Sequence, residues 1–446
     1  MVRFVFLGSD ILLFLSFGLL SLFVIKGMRK PINRQAMKRL VSYQIVMVTL
    51  SVLAFYLTIA LLDSIHFQRQ LSAKNASSAP HYSAKTQSVL DLMFGKRSLA
   101  QEKTYSAPLA LRSFSKEVRA SGGQYYPRLI GINSNVKTLH QRNVVMTKQI
   151  LFSLIYALCI SIFLFSAFKM FRKKVRDERL ALFPFVFTGI IMFVAISCIF
   201  LEVQFHLFGT DKVGQDVFYQ TIKSIRTGLV IGLITTLVTL PFALILGLSA
   251  GYFGGKVDDL IQYLYITISS IPGVLLIAAS ILSMQVFISN HADMFSSLMA
   301  RADARLVALC LILGLTGWTG LCRVLRAETL KLREMDYIQA AKALGSSTRV
   351  ILQRHVLPNV MHLIIIAVVL DFSSLVLAEA VLSYIGVGVS PLTISWGNMI
   401  NGARLELARE PVVWWPMLAA FMFMFLFVIS INLLADKVRD VFDPRS

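Results

Sequence analysis

The sequence predicts an all-α, polytopic membrane protein that crosses the bilayer nine times. Of its 446 residues, 56% are hydrophobic and only 15% are charged, and the mean hydropathy is +0.69. A soluble domain of this length needs far more polar surface, because its outside faces water. The apolar residues also gather in blocks of roughly 20, which is the length that crosses ~30 Å of hydrocarbon. Both observations favour a membrane protein over any soluble class.

Nine apolar blocks are the predicted spans. The first is expected to be a retained helix rather than a signal peptide, since Asp10 interrupts it and no A-x-A cleavage site follows. Pro241 and Pro272 interrupt the fifth and sixth blocks, where they permit bends. In chain order the blocks cover about 4–25, 41–62, 150–168, 182–201, 227–250, 260–284, 304–322, 360–385 and 412–435.

Basic residues in the links between blocks set the orientation. The links at 26–39, 169–179 and 323–354 are rich in Lys and Arg, which places them in the cytoplasm. The N-terminus then lies outside and the C-terminus inside. The net charge of +20 therefore reflects membrane topology and contact with anionic lipid headgroups, not binding of a nucleic acid.

One long hydrophilic segment separates the second and third blocks. It is long enough to be translocated regardless of its charge, so we place it outside the membrane. Its periodicity does not decide between a small domain and a disordered segment. The predicted organisation is two N-terminal helices in 1–62, an extracytoplasmic accessory segment in 63–149, a third extra helix with a basic link in 150–180, and six further spans in 181–446.

The sequence lacks the common signatures of catalysis. It contains no G-x-x-x-x-G-K-[ST] phosphate loop, no H-E-x-x-H and no G-x-S-x-G. The four cysteines have no CxxC neighbour, and His206 and His355 have no partners at catalytic or ligand spacing. We therefore expect no catalytic residue, no bound metal and no cofactor in this chain, and no enzymatic activity of its own.

The cytoplasmic link at about 327–358 predicts two short helices. In the first, Tyr337, Ala340, Ala341 and Leu344 recur at three- and four-residue spacing, and Gly345 ends the helix. The second is expected to break at Pro358, at the mouth of the eighth span. Two interpretations stay open on pattern alone: a docking element that moves the adjoining spans, or an amphipathic link lying on the membrane surface.

The same link carries a family resemblance. Gln339-Ala340-Ala341, Gly345 and Leu357-Pro358 resemble the EAA loop of ABC importer permeases. Three further stretches, 209–218, 378–400 and 432–445, resemble the C-type subunit of dipeptide and oligopeptide (peptide/nickel) permeases. The sequence departs from the family pattern at Gln339, where Glu is usual, and at Gln215, where Arg is usual. About 180 residues before the matching region have no counterpart in it.

The resemblance implies an architecture and a set of partners. The last six spans would form a type I permease core in a bacterial cytoplasmic membrane. A second, B-type permease, two ATPase subunits that bind ATP and Mg²⁺, and an extracytoplasmic substrate-binding protein would complete a peptide importer. The residues implied in coupling to the ATPase are Gln339, Ala340, Ala341, Leu344, Gly345, Leu357 and Pro358.

Asp371 and Glu379 are the acidic residues deepest in a predicted span. A charge at mid-membrane is costly, so such residues normally face a bundle interior or a water-filled path. They are eight residues apart, about 80° around a helix, so both are candidates for one translocation path. The alternative for each is a buried carboxyl that hydrogen-bonds to a neighbour.

Two other functional classes are weighed against the importer. An ion-coupled secondary transporter would use Asp371 as its ion site, but it typically shows inverted repeats, and none is evident in this sequence. A membrane sensor would use residues 63–149 as its ligand domain, but it would carry a signalling module inside. Neither class explains the amphipathic cytoplasmic link.

Overall fold

The computed structural model describes residues 2–28, 31–70, 82–83, 86–98, 101–119, 123–130, 132, 136–171, 178–295 and 297–442. These residues form a mainly helical protein, which confirms the predicted fold class. The α-helices are α1 (Gly8–Met28), α2 (Pro31–Ser42), α3 (Gln44–Asp63), α4 (Val89–Ser98), α5 (Leu139–Phe171), α6 (Glu178–Glu202), α7 (Val217–Phe253), α8 (Gly255–Ser270), α9 (Gly273–Asn290), α10 (Leu298–Arg333), α11 (Asp336–Ala343), α12 (Thr348–Ile351), α13 (Leu357–Ile385), α14 (Trp396–Ala403) and α15 (Trp415–Phe442).

Each predicted span overlaps an apolar helix. Among the described residues, seven helices are long and apolar enough to cross a membrane, and Gly8–Leu22 and Val186–Glu202 are shorter apolar helices. The predicted basic link at 169–179 lies partly outside the described residues.

The predicted bounds of the sixth span, 260–284, are wrong. Helix α8 ends at Ser270, Ile271 is extended, and Pro272 occupies the position before α9. Proline disfavours helical backbone in the residue that precedes it, which explains the break. The helix with the length and composition of a span is α9, Gly273–Asn290.

The described chain divides into two compact units. The first comprises the described residues within 1–6, 41–227 and 394–430, and the second those within 7–40, 228–393 and 431–446.

The first unit contains the accessory segment and short strands. Strand β1 (Val2–Val5) pairs antiparallel with β2 (His66–Arg69), which pairs with β3 (Gln87–Ser88). A second small sheet joins β4 (Glu117–Val118) to β5 (Gln124–Tyr125). The accessory segment is also tied to α7, because Lys223 lies 2.9 Å from Asp91 Oδ1 in an ion pair that is largely buried.

In the second unit, glycines let α7 pack closely on α10. A Cβ at Gly247 would lie 2.9 Å from the Cys322 carbonyl oxygen, and one at Gly251 would lie 2.5 Å from Thr329 Cβ. Small residues four apart allow two helix backbones to approach in this way in membrane bundles. These glycines therefore hold α10, which leads into the link before α13, against α7.

The first helix of the chain also packs on α10. Both the Ser9 backbone N–H, at 3.1 Å, and the Ser9 hydroxyl donate to the Asp303 carboxylate. A carboxylate at a helix N-terminus accepts unpaired N–H groups and favours the helix dipole. Asp303 thus fixes the start of α1, so this N-terminal helix is part of the second unit.

Candidate functional site

The link between α10 and α13 contains the first short helix that the sequence predicts, α11, and its second predicted helix is the first part of a longer helix that continues into α13. Helix α10 ends at Arg333, with basic residues in its last turn, and Met335 is extended before α11 begins at Asp336. Acidic and basic side chains at these ends match the helix dipoles.

Gly345 ends α11, which confirms the predicted boundary. Its φ is +77°, in the left-handed region that favours glycine. Its N–H donates to the Lys342 carbonyl at 3.0 Å, and the Ser346 N–H donates to the Ala341 carbonyl at 3.0 Å. This pair of bonds is the Schellman arrangement, which satisfies the last carbonyls of a helix. The direction of the chain after α11 therefore depends on this glycine.

One side of α11 is fixed to the second unit. The Ile338 side chain is 1% exposed and belongs to an apolar cluster with Leu332 of α10 and Val360 of α13. Ala341 is half-buried and packs against the same cluster. Burial of an isoleucine side chain stabilises this attachment by about 1.5–3 kcal/mol.

The opposite side of α11 is exposed. Leu344 is 86% exposed, the highest value among the large apolar side chains that the structure describes, and Tyr337 is 44% exposed. Gln339, Ala340 and Gly345 are exposed as well. We call Tyr337, Ala340 and Leu344 the apolar face of α11. Of the five predicted coupling residues between positions 339 and 345, four are thus on the surface, and Ala341 is turned toward the core.

Gln339 makes a contact that the usual glutamate cannot make. Its Nε2 donates to the Arg333 carbonyl at 3.0 Å, which satisfies a carbonyl at the end of α10. An ionised carboxylate has no proton to donate. The glutamine that departs from the family pattern therefore links α11 to the end of α10 in this chain.

Pro358 does not break the helix, and this prediction is wrong. The chain is helical from Thr348 to Ile385, with a π-turn at Leu352–Val356. The Leu357 N–H donates to the Leu352 carbonyl, five residues back. A π-turn shifts the hydrogen-bond register, and it precedes a residue that has no N–H of its own. Pro358 is exposed, whereas Leu357 packs against the apolar cluster below α11.

An ion pair fixes the end of α10 that leads into the link. The Arg326 guanidinium donates to both oxygens of Asp258 in α8, through Nε and, at 2.6 Å, through Nη2. These hydrogen bonds hold the pKa of Asp258 below its usual value against the opposing effect of burial. Forked pairs of this kind restrict geometry as well as adding stability.

Asp371 lines a small cavity, and Glu379 does not. The cavity has a volume of about 100 Å³, and Thr236, Thr239, Gly317 and Ser374 share its wall with Asp371. Glu379 is 2% exposed, and its Oε1 accepts a 2.7 Å hydrogen bond from Ser383 on the same helix. The two candidate path residues are therefore in different surroundings.

His206 has partners that its sequence neighbourhood did not indicate. Its Nδ1 lies 2.6 Å from Asp216 Oδ2, and its Nε2 lies 3.4 Å from Glu102 Oε1. Burial alone would lower the pKa of His206, but the hydrogen bonds and charges of these carboxylates raise it to about 9. The expectation that His206 has no partner at ligand spacing is therefore wrong for Asp216, ten residues along the chain, and Glu102 is brought to the ring only by the fold.

The chain is similar in sequence to known membrane transport proteins. Residues 243–446 match the family described as binding-protein-dependent transport system inner membrane component. The dipeptide transport system permease protein DppC of Lactococcus lactis subsp. cremoris is 32% identical over 241 residues, which are 54% of this chain and 64% of that protein. DppC of Bacillus subtilis is 29% identical over 240 residues, 54% of this chain and 69% of that protein.

A third relative is matched over more of its length. The oligopeptide transport system permease protein OppC of Mycobacterium tuberculosis H37Rv is 30% identical over 241 residues, 54% of this chain and 76% of that protein. The chain therefore spans 64% to 76% of the length of these relatives, and the matches cover 54% of its own length.

Proposed function

Because this chain belongs to the family of inner membrane components of binding-protein-dependent transport systems, we propose that it is the C-type permease subunit of an ATP-driven peptide importer. The names of the relatives, dipeptide and oligopeptide transport system permease proteins, support di- or oligopeptides as the cargo. The chain would form one half of a translocation path and would contribute no catalytic group. ATP and Mg²⁺ would be bound by the partner ATPase subunits.

The apolar face of α11 carries the proposal. Leu344 is almost wholly exposed on a helix whose other side is held by Ile338. An exposed leucine next to small Ala residues fits a partner surface that approaches closely, and its burial there would contribute about 1.5–3 kcal/mol. The coupling surface that we propose is the apolar face of α11 together with Gln339 and Gly345.

Motion of α11 would reach the membrane helices through rigid contacts. Ile338 and Ala341 pack against residues of both α10 and α13. Two ATPase subunits that close on ATP would move α11 and, with it, the cytoplasmic ends of these two spans. The path would then open outward to accept cargo, and hydrolysis would reset it inward. The positions of Leu357 and Pro358 support this role. Leu357 packs against the apolar cluster that holds α11, and Pro358 lies just after the π-turn.

We place Asp371, rather than Glu379, in the translocation path. Asp371 shares its cavity with Thr236, Thr239 and Ser374, so the wall of the cavity contains several polar residues. A carboxylate in the wall of the path would attract the ammonium group of a peptide, so Asp371 would help to bind the cargo. Glu379 is satisfied by Ser383 and suits a packing role.

The proposed assembly contains a B-type permease, two ATPase subunits and an extracytoplasmic binding protein. This chain has one EAA-like loop and would therefore dock one ATPase subunit. The second ATPase subunit would dock on a sister permease. The proposed orientation in the bacterial cytoplasmic membrane has the N-terminus outside and the C-terminus, with α11, inside.

Cysteine labelling tests the orientation and the docking together. In a Cys159→Ser background, we would introduce Leu344→Cys on α11 and Lys103→Cys on the accessory segment. We expect an impermeant maleimide to label position 103 in intact spheroplasts and position 344 only after permeabilisation. Bound ATPase subunits should protect position 344. Labelling of position 344 from outside would overturn the proposed orientation and the coupling role.

A further inference from the structure

A buried cluster of ionisable side chains lies away from the proposed coupling surface. Glu202 ends α6, His206 follows in the next loop, and Asp216 immediately precedes α7. The three residues are 3%, 2% and 1% exposed. One ligand atom from each lies within 4.8 Å of the other two, which is close enough for a single metal ion.

Each carboxylate of the cluster is oriented by a backbone group. Glu202 Oε2 accepts from the Leu207 N–H at 3.0 Å, and Asp216 Oδ1 accepts from the Tyr219 N–H at 2.9 Å. The second oxygen of each group is left for another partner. In Asp216 this oxygen, Oδ2, faces His206 Nδ1.

The second oxygen of Glu202 has no such partner. Its Oε1 is buried and accepts no hydrogen bond from any residue that the structure describes. A buried carboxylate oxygen without a partner is costly, and native structures normally satisfy it with a donor or a cation. The unpaired oxygen therefore needs either a proton shared with the neighbouring Asp216 carboxyl or a positively charged ligand.

The surrounding charges favour a cation too. Three buried carboxyl groups, those of Glu102, Glu202 and Asp216, surround the single imidazole of His206. Glu102 Oε1 faces the ring nitrogen that is turned away from Asp216. In metal sites, a carboxylate on the far ring nitrogen orients the histidine and strengthens it as a ligand.

We propose that Glu202 Oε1, His206 Nδ1 and Asp216 Oδ2 bind a divalent transition-metal ion, with Glu102 as the positioning residue for the His206 ring. One imidazole and two carboxylates suit Zn²⁺ or Mn²⁺ better than Ca²⁺ or Mg²⁺, which prefer oxygen ligands alone. The ion would take the place of the proton between His206 and Asp216. It would join the end of α6 to the start of α7, next to the accessory segment.

The test measures metal on the full-length chain. Protein in detergent would be stripped with EDTA, equilibrated with micromolar Zn²⁺ or Mn²⁺, and freed of unbound ion before elemental analysis. Glu202→Gln removes the unpaired oxygen's charge at constant shape. Glu117→Gln is the matched control, because Glu117 is a carboxylate of the same accessory region that pairs with the exposed Lys103.

We expect the wild type and Glu117→Gln to retain about one ion per chain, and Glu202→Gln and His206→Gln to retain none. Glu102→Gln should weaken the affinity by about 10- to 100-fold, as loss of such a positioning group does elsewhere. Zn²⁺ should also raise the unfolding temperature of the wild type and of Glu117→Gln, but not that of Glu202→Gln.

Equal metal content in the wild type and in Glu202→Gln would overturn the proposal. It would indicate that Glu202 Oε1 is satisfied by a proton that Glu202 and Asp216 share, and not by a metal ion. If the cluster variants do not fold, Co²⁺ bound to the wild type decides the question. Visible absorption bands from Co²⁺ with nitrogen and oxygen ligands are expected, and their absence would contradict the site.

Discussion

The side-chain amide of Asn359 donates a 2.9 Å hydrogen bond to the Tyr337 hydroxyl, which ties α11 directly to α13. The same amide donates to the His355 carbonyl in the π-turn. Because α13 also carries Asp371, a single rigid element connects the proposed coupling surface to the proposed translocation path.

Leu344 gives the most direct mutational test of docking. We expect Leu344→Asp to leave the fold intact, since the side chain is exposed, and to weaken ATPase binding roughly 10- to 100-fold. Co-purification of the ATPase subunits with the tagged chain measures this effect. The control is Leu392→Asp, because Leu392 is 67% exposed and lies far from α11 in sequence. Equal loss of binding in both variants would contradict a specific role for Leu344.

Gly345 and Gly320 form a matched pair for backbone conformation. A Cβ at either glycine meets no described atom within 4 Å, but only Gly345 has a positive φ. Gly345→Ala should cost about 1–2 kcal/mol in the local turn and reduce peptide uptake. Gly320→Ala should be neutral or stabilise by up to ~1 kcal/mol, because alanine favours a helix interior. Similar uptake by both variants would mean that the turn is not required.

The ion pair of Asp258 with Arg326 predicts a specific pH dependence. The pKa of Asp258 is lowered in the folded protein, so its contribution to stability is present above about pH 4 and is lost as the pH falls through the lowered pKa. Asp258→Asn should destabilise the protein by about 1–3 kcal/mol at pH 7. The difference in unfolding temperature from the wild type should be constant between pH 5 and 8 and shrink below about pH 4. A constant difference down to pH 3 would contradict this interpretation.

Asp371 and Glu379 should differ in their effect on transport. Asp371→Asn is expected to slow peptide uptake about tenfold or more, equal to at least ~1.4 kcal/mol, while ATPase binding is unchanged. Glu379→Gln keeps an oxygen that can accept from Ser383, so uptake should stay near the wild-type rate. Wild-type uptake in Asp371→Asn with every peptide tested would remove this residue from the path.

The apolar helices and the link between α10 and α13 could be predicted because their signals are local. Blocks of apolar residues indicate spans, and the spacing of Tyr337, Ala340 and Leu344 with the following Gly345 indicates a short helix. At Pro272 the sequence predicts a bend within one span, because the apolar run continues on both sides, whereas the structure has two separate helices. Pro358 was misread because a π-turn, which has no sequence signature of its own, precedes it.

The cluster around His206 could be predicted only in part. Glu202 is four residues before His206, a spacing that places two side chains on one side of a helical turn. Glu102 is 104 residues from His206, so only the tertiary fold brings it to the ring. Similarly, the contact of Ser9 with Asp303 spans 294 residues, and nothing in the sequence indicated that α1 packs on α10.

Uptake by proteoliposomes tests the central claim most directly. The chain would be reconstituted with its sister permease and binding protein, with or without the ATPase subunits and internal ATP, and uptake of a labelled dipeptide would be measured. We expect uptake only with both the ATPase subunits and ATP, and none with Leu344→Asp. Uptake driven by an ion gradient in the absence of the ATPase subunits would contradict the account and favour an ion-coupled transporter.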